Sequence, residues 1–383
     1  MECYFDNAAT TQCCQEAVSF MLKALTESYG NPSSMHQKGV EAERLVKDAA
    51  NVLSSTLKAQ TKEILFTSGG TESNNLALAG GAQAMRRRGN HIIITAVEHA
   101  AVKAPCGRLE KQGYEVTYIP VDAQGRLDLE ALDKAIRPDT ILVSTMYVNN
   151  EVGTVMPVSE IGALVHERSE ALYHVDAIQA YGKYIINPKK EGIDLLSVSS
   201  HKFHGPKGAG FLYIRDGVRI EPQILGGGQQ GGMRSGTDNV PGIVGMAAAA
   251  RRAYEDLGEK REHLYELKKR LACGLAQLDE VYINGCEPDK AAPHILNASF
   301  VGIRSEVLLH SLEERGIYVS AGSACSSHKK KPEGTLHAMG LAPERRESAL
   351  RFSFCPDNNV QQVDYCLEQL AGLLPVLRKF SRR

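Results

Sequence analysis

Seven short runs of apolar and β-branched residues, separated by stretches of helical length, limit what this chain can fold into. They fall at 63–67, 91–96, 115–121, 140–148, 171–175, 194–198 and 210–214. Helical stretches are read between several of them, at 72–88, 100–112, 128–136 and 158–166. A strand wet on one face alternates apolar and polar residues; these runs are apolar almost throughout, as strands covered on both faces are. The alternation predicts an α/β layered fold around a mostly parallel, seven-stranded sheet. Chemistry in such sheets collects at the strand ends.

After about residue 250 the pattern changes. A long charged helix is expected over 251–278, then a strand at 295–301, a helix at 306–315, and strands at 318–320 and 350–354. In the last helix Val360, Val363, Leu367, Leu370 and Leu374 make one apolar stripe. The expected division is a large domain over 15–253 and a smaller α+β domain built from 1–14 and 254–383.

The formal net charge of −1 gives no support to a nucleic-acid partner. No apolar run approaches the roughly 20 residues of a membrane helix, and the first residues do not read as a signal peptide. The nine cysteines are odd in number and scattered, and none pairs as C-x-x-C. A zinc site or a disulfide framework is therefore poorly supported, and a reducing cytoplasm fits better.

Lys202 sits in Ser199-Ser200-His201-Lys202-Phe203-His204-Gly205-Pro206, just past an apolar run. A lysine there is costly to desolvate unless its amine is paired or covalently used, and a neutral amine can form a Schiff base. Lys202 is thus either an ordinary strand-end lysine or an anchor for pyridoxal phosphate. Thr67-Ser68-Gly69-Gly70-Thr71-Glu72 follows a strand and opens a helix, which makes an anion site of backbone N–H groups and hydroxyls. Gly70 would let the backbone come close, and Thr71 would bind phosphate or simply act as an N-cap. Ser199 and His201 are further candidate phosphate donors.

Asp176 ends an apolar run and needs a partner: a protonated pyridine nitrogen, or helix N–H groups that it caps. Gln179 could reach the ring's phenolic oxygen, and Asn150 is another polar group at a strand terminus. His99 ends the stretch Ile92-Ile93-Ile94-Thr95-Ala96-Val97-Glu98-His99 and either stacks on an aromatic ring or is a structural histidine. Arg351, a lone cation in an apolar strand, calls for a carboxylate, supplied by an amino-acid substrate or by an internal Asp or Glu. Cys325 lies among small residues ahead of Lys329, Lys330 and Lys331, where nearby positive charge favours a thiolate. Cys355 is expected to be structural.

These residues, with Asp6-Asn7-Ala8-Ala9-Thr10-Thr11, Glu98-His99, Val148-Asn149-Asn150-Glu151 and Gly232-Met233-Arg234-Ser235-Gly236-Thr237, resemble those of a known family. In order and spacing they are similar, over essentially the whole chain, to the pyridoxal-phosphate-dependent cysteine desulfurases of the nitrogen-fixation and iron–sulfur-cluster type. That group belongs to the class V aminotransferases, with the fold-type I architecture. The resemblance implies that Lys202 holds the cofactor, His99 covers its ring and moves protons, and Asp176 and Gln179 pair with its nitrogen and phenolic oxygen. Gly70, Thr71, Ser199 and His201 would line the phosphate site, and Thr237 would reach the phosphate of a neighbouring subunit, implying a homodimer. Arg351 and Asn150 would hold the substrate carboxylate. The implied reaction turns L-cysteine into L-alanine and leaves sulfur on Cys325 as a persulfide, for an acceptor such as an iron–sulfur scaffold or a tRNA-thiolation enzyme. Selenocysteine lyase or aminotransferase activity on the same fold is the alternative.

Overall fold

A computed structural model describes residues 1–321 and 334–381; Cys325 and the lysines at 329–331 lie outside the described residues. All seven early runs form strands of one sheet. From edge to edge its order is Ile64–Thr67, Gly210–Ile214, Leu195–Ser199, Leu172–Asp176, Thr140–Met146, His91–Thr95 and Glu115–Ile119. Only Gly210–Ile214 runs against its neighbours; the remaining pairings are parallel. The central strands are buried along their whole length, as their unbroken apolar character demands, while the edge strand Glu115–Ile119 is half exposed.

Parallel pairing brings the carboxyl ends at 95, 146, 176 and 199 to one edge of the sheet. Thr67 ends there too, because its strand is two antiparallel steps from Leu195–Ser199. At Gly210 two backbones approach so closely that an added Cβ would lie 2.6 Å from Gly69 Cα, which leaves room there only for glycine.

A second, antiparallel sheet runs Ser320–Ala321, Ala349–Ser353, Ile295–Phe300, Val281–Asn284. Its core is separate from that of the large sheet and includes Leu267, Phe300, Leu312, Phe352 and Leu370. The C-terminal stripe holds there: Val363, Leu370 and Leu374 of Val360–Ser381 are buried.

Three expectations change. The long helix over 251–278 is two helices, Val240–Tyr254 and Leu257–Leu275, broken at Asp256, whose φ of 48° no α-helix accommodates. The strand at 318–320 is two short pieces. Ile317–Tyr318 pairs with Cys3–Tyr4, and Ser320–Ala321 pairs with Ala349–Ser353. The helix expected over 72–88 begins at Gly70 and passes through a π-helical turn at Leu76–Gly80.

His174 lies fully buried in the middle of the sheet, its ring nitrogens 2.8 Å from Ser144 Oγ and 2.9 Å from Ser197 Oγ. Burial holds its pKa down to about 3. The unfolded histidine takes up a proton near pH 6.5 and the folded one does not, so its contribution to stability is complete above about 6.5 and is lost as pH falls. We expect the slope of unfolding free energy between pH 6 and 4 to flatten in His174→Gln by about 1.4 kcal/mol per pH unit, measured by urea denaturation. Equal slopes in the two proteins would contradict this.

Candidate active site

The turn after Leu195–Ser199 is a single 3-10 turn, Ser200–Lys202. It points the Lys202 amine at the N-terminal segment, where Nζ donates to the carbonyls of Ala8 and Ala9, each at 2.7 Å. Beneath it, Lys183 Nζ donates to Lys202 O at 2.8 Å, and burial together with the Lys202 charge holds the Lys183 amine down to about 7.

Asp176 is the last residue of its strand and only 4% exposed. It caps no helix. One carboxylate oxygen accepts Ile178 N–H at 3.0 Å and the other accepts Asn74 Nδ2–H at 2.8 Å. Burial pushes its pKa up, opposed by His99, these hydrogen bonds and Lys202. A cation against this carboxylate would relieve that cost.

His99 is the N-cap of Ala100–Lys111, with Nδ1 accepting Ala101 N–H at 3.1 Å. That bond puts the proton of the neutral ring on Nε2. Burial lowers its pKa, assisted by Lys202 and Lys103 and resisted by Asp176. Glu98, behind it, accepts Thr95 Oγ1–H at 2.5 Å and Met146 N–H at 2.9 Å, and burial lifts it to about 8, so it is protonated at neutral pH.

Gly69, not Thr71, is the N-cap of Gly70–Asn75, and Thr71 lies in the first turn, exposed. A Cβ at Gly70 would lie 2.1 Å from Ile178 Cδ1, so a side chain here would have to push Ile178 aside for the turn to stay close to the Asp176 loop. His201 Nδ1 is 3.1 Å from Thr10 Oγ1, and burial keeps its pKa down to about 4. Gln179 donates from Nε2 to Ala8 O at 2.9 Å, and its Oε1 lies 3.3 Å from His294 Nε2.

Arg351 reaches across from the second sheet. Its internal carboxylate is Asp6, with Nη2 donating to Asp6 Oδ1 at 2.8 Å and Nη1 to Asn150 O at 2.9 Å. Among the described residues its buried Nε has no hydrogen-bond partner.

One cavity of about 170 Å³ is lined by Gly70, Thr71, His99, Asn150, Asp176, Gln179, Ser199, His201, Lys202 and Arg351. Thr237 is exposed and does not line it, and Cys325 lies outside the described residues. Cys355 is 9% exposed, with its thiol pushed up to about 11 by burial, as a structural cysteine would be. The sequence reading gave no individual role to Asp6, Asn74, Lys183 or His294. Only the motif at 6–11 pointed toward one of them, Asp6.

The donor set fits pyridoxal phosphate: an amine for its aldehyde carbon, a buried carboxylate for its ring nitrogen, and hydroxyl, imidazole and helix N–H donors for its phosphate.

A family model for class-V aminotransferases matches residues 3–366. Cysteine desulfurase IscS 1 of Archaeoglobus fulgidus is 42% identical over 378 residues, covering 99% of this chain and 98% of the relative. Cysteine desulfurase IscS of Methanosarcina thermophila is 44% identical, covering 99% and 93%. Among solved structures, a NifS-like protein superposes with a TM-score of 0.93 at 41% identity, covering 98% of this chain and all of the other. SspA, solved in complex with cysteine, gives 0.82 at 34% identity, covering 92% and 99%. The architecture is that of the NifS-like pyridoxal-phosphate-dependent proteins, and the chain belongs to the class-V aminotransferase family.

Proposed function

We propose that this protein is a cysteine desulfurase: it converts L-cysteine to L-alanine and passes the sulfur through Cys325 to an acceptor protein. The observation that supports this best is the convergence of Lys202, Asp176 and His99 on one cavity, in a chain that shares 42% identity with a cysteine desulfurase over nearly its full length. Bound at Lys202, pyridoxal phosphate supplies an electron sink for carbanion chemistry at the substrate α-carbon. The rest falls to the chain's own groups. Asp176 holds a positive charge at the ring nitrogen. The Lys202 amine takes and returns the α-proton. His99, which lines the cavity, would cover the ring and move protons through Nε2, and Gln179 would offer its second amide N–H to the ring oxygen. Thr71, Ser199 and His201 receive the phosphate, with Gly70 keeping the turn tight. Arg351 and Asn150 orient the substrate carboxylate.

Cys325 then attacks the substrate sulfur, forming an S–S bond as the C–S bond breaks and leaving a persulfide. An iron–sulfur scaffold or a tRNA-thiolation enzyme is the acceptor we favour. The division at 15–253 against 1–14 with 254–383 would place Lys202 on one body and Arg351 and Cys325 on the other, in keeping with two separate apolar cores. We also propose a cytoplasmic homodimer. Among the described residues no helix is long and apolar enough to cross a membrane. Helix Gln15–Thr26 leaves Phe20, Leu22 and Leu25 exposed, and Met35 is 98% exposed. A second copy would cover such a face and place Thr237 at the partner's phosphate.

Three outcomes are expected. Wild type, yellow and given L-cysteine with a reductant, should release sulfide and alanine in equal amounts. Cys325→Ala should release neither, and Lys202→Ala should lose the visible band and at least about 10³-fold in rate. Equal products from Cys325→Ala would remove the persulfide step and favour a lyase. Because burial disfavours the imidazolium, the acid limb of kcat/KM that belongs to His99 should fall below the ordinary value of about 6.5 and disappear in His99→Gln. A limb unchanged in that variant would assign it to another group. In light scattering the protein should weigh about twice its 41.7 kDa chain, with Leu22→Glu/Leu25→Glu shifting it to monomer and Thr237→Ala weakening cofactor binding. A monomeric wild type would overturn the dimer.

A further inference from the structure

The segment at 6–11 holds several groups of the site at once. Asp6 Oδ1 accepts from Arg351, Ala8 O accepts from both Gln179 and Lys202, and Thr10 Oγ1 meets His201. The segment is itself fixed. Asn7 Nδ2 donates to Ser353 O at 3.0 Å, Ala8 N donates to Ser353 Oγ at 2.8 Å, and Thr11 N donates to His201 O at 2.9 Å.

A guanidinium has five N–H groups. At Arg351 one is given to Asn150 O and one to Asp6. The side chain is 10% exposed, and Asp6 is the carboxylate that pairs with it. A cation so enclosed is costly unless paired. Asp6 meets that need through a single N–H. Among the described residues the buried Nε has no hydrogen-bond partner, and the Arg351 side chain lines the cavity, so a second carboxylate there could meet N–H groups that Asp6 does not use. A substrate therefore does not have to displace Asp6 to reach Arg351.

We propose that Asp6 is a positioning residue for substrate binding: it holds the Arg351 guanidinium in the orientation that presents its remaining N–H groups to the α-carboxylate of the amino acid. This rests on the reading of Arg351 as the carboxylate partner. An arginine held in place has already lost the side-chain freedom that binding would otherwise remove. Asp6 acts on ground state and transition state alike, so its loss appears in KM rather than in kcat.

The test uses the full-length holoenzyme with Asp6→Asn, Asp6→Glu, Arg351→Ala and Asp6→Asn/Arg351→Ala. It reads KM and kcat for L-cysteine, the dissociation constant of L-alanine from the change in visible absorbance, and Tm. Asp6→Asn should raise both KM and the alanine constant about tenfold with kcat within about threefold. Asp6→Glu should recover part of the loss, and the effect should vanish in the Arg351→Ala background. A raised KM in Arg351→Ala with no change in Asp6→Asn would overturn the role of Asp6 alone. A lowered KM in Asp6→Asn would also overturn it, by making Asp6 a competitor of the substrate. No change in KM for Arg351→Ala would instead remove the reading of Arg351, and the proposal with it. If Asp6→Asn lowers Tm and kcat together while Asp6→Glu does not restore KM, the residue is structural and the proposal fails.

Discussion

The parallel alignment of the central strands governs everything that follows in this molecule. Residues 99, 150, 176 and 202 are far apart in the chain, yet each lies at or just beyond a strand's carboxyl end. Parallel pairing sends all those ends to the same edge of the sheet. The apolar side chains that keep the strands buried on both faces therefore also fix where the polar ones meet. Reversal of one of the central strands would carry its terminal residue to the opposite edge.

That edge is enclosed, and burial sets the charge of its groups. His99 and His201 are held toward the neutral form, and Glu98 toward the protonated form, each chiefly by burial. Asp176 is pushed the same way but has Asn74, Ile178 and the neighbouring cations to support its charge. The site thus keeps few full charges, and each has a near partner: Asp176 among its donors, Lys202 at two carbonyls, Arg351 against Asp6.

The seven strand runs were legible because burial on both faces leaves a continuous apolar signature in the sequence. The boundaries were less so. The break at Asp256 needs a residue in the left-handed region, and the surrounding charged residues read as an unbroken helix. The split near Val319 comes from two different pairing partners, which no local pattern carries. At the site, Lys202, Asp176, His99 and Gln179 were found by their position at run ends. Two open choices closed only in three dimensions: Asp176 caps no helix, and Gly69 takes the N-cap that Thr71 could have filled.

By itself the sequence determined the layered class of the fold, the strands, and the residue types able to hold a pyridine cofactor and an amino acid. These follow from local composition and from the cost of burying particular side chains. Only the tertiary structure decided which of those residues share a cavity, that residues 6–11 return to hold Lys202 and Arg351 in place, and which groups lose their charge. Those depend on long-range pairing and on the low dielectric of the enclosed strand edge, which arise only once the sheet has formed and the second sheet lies against it.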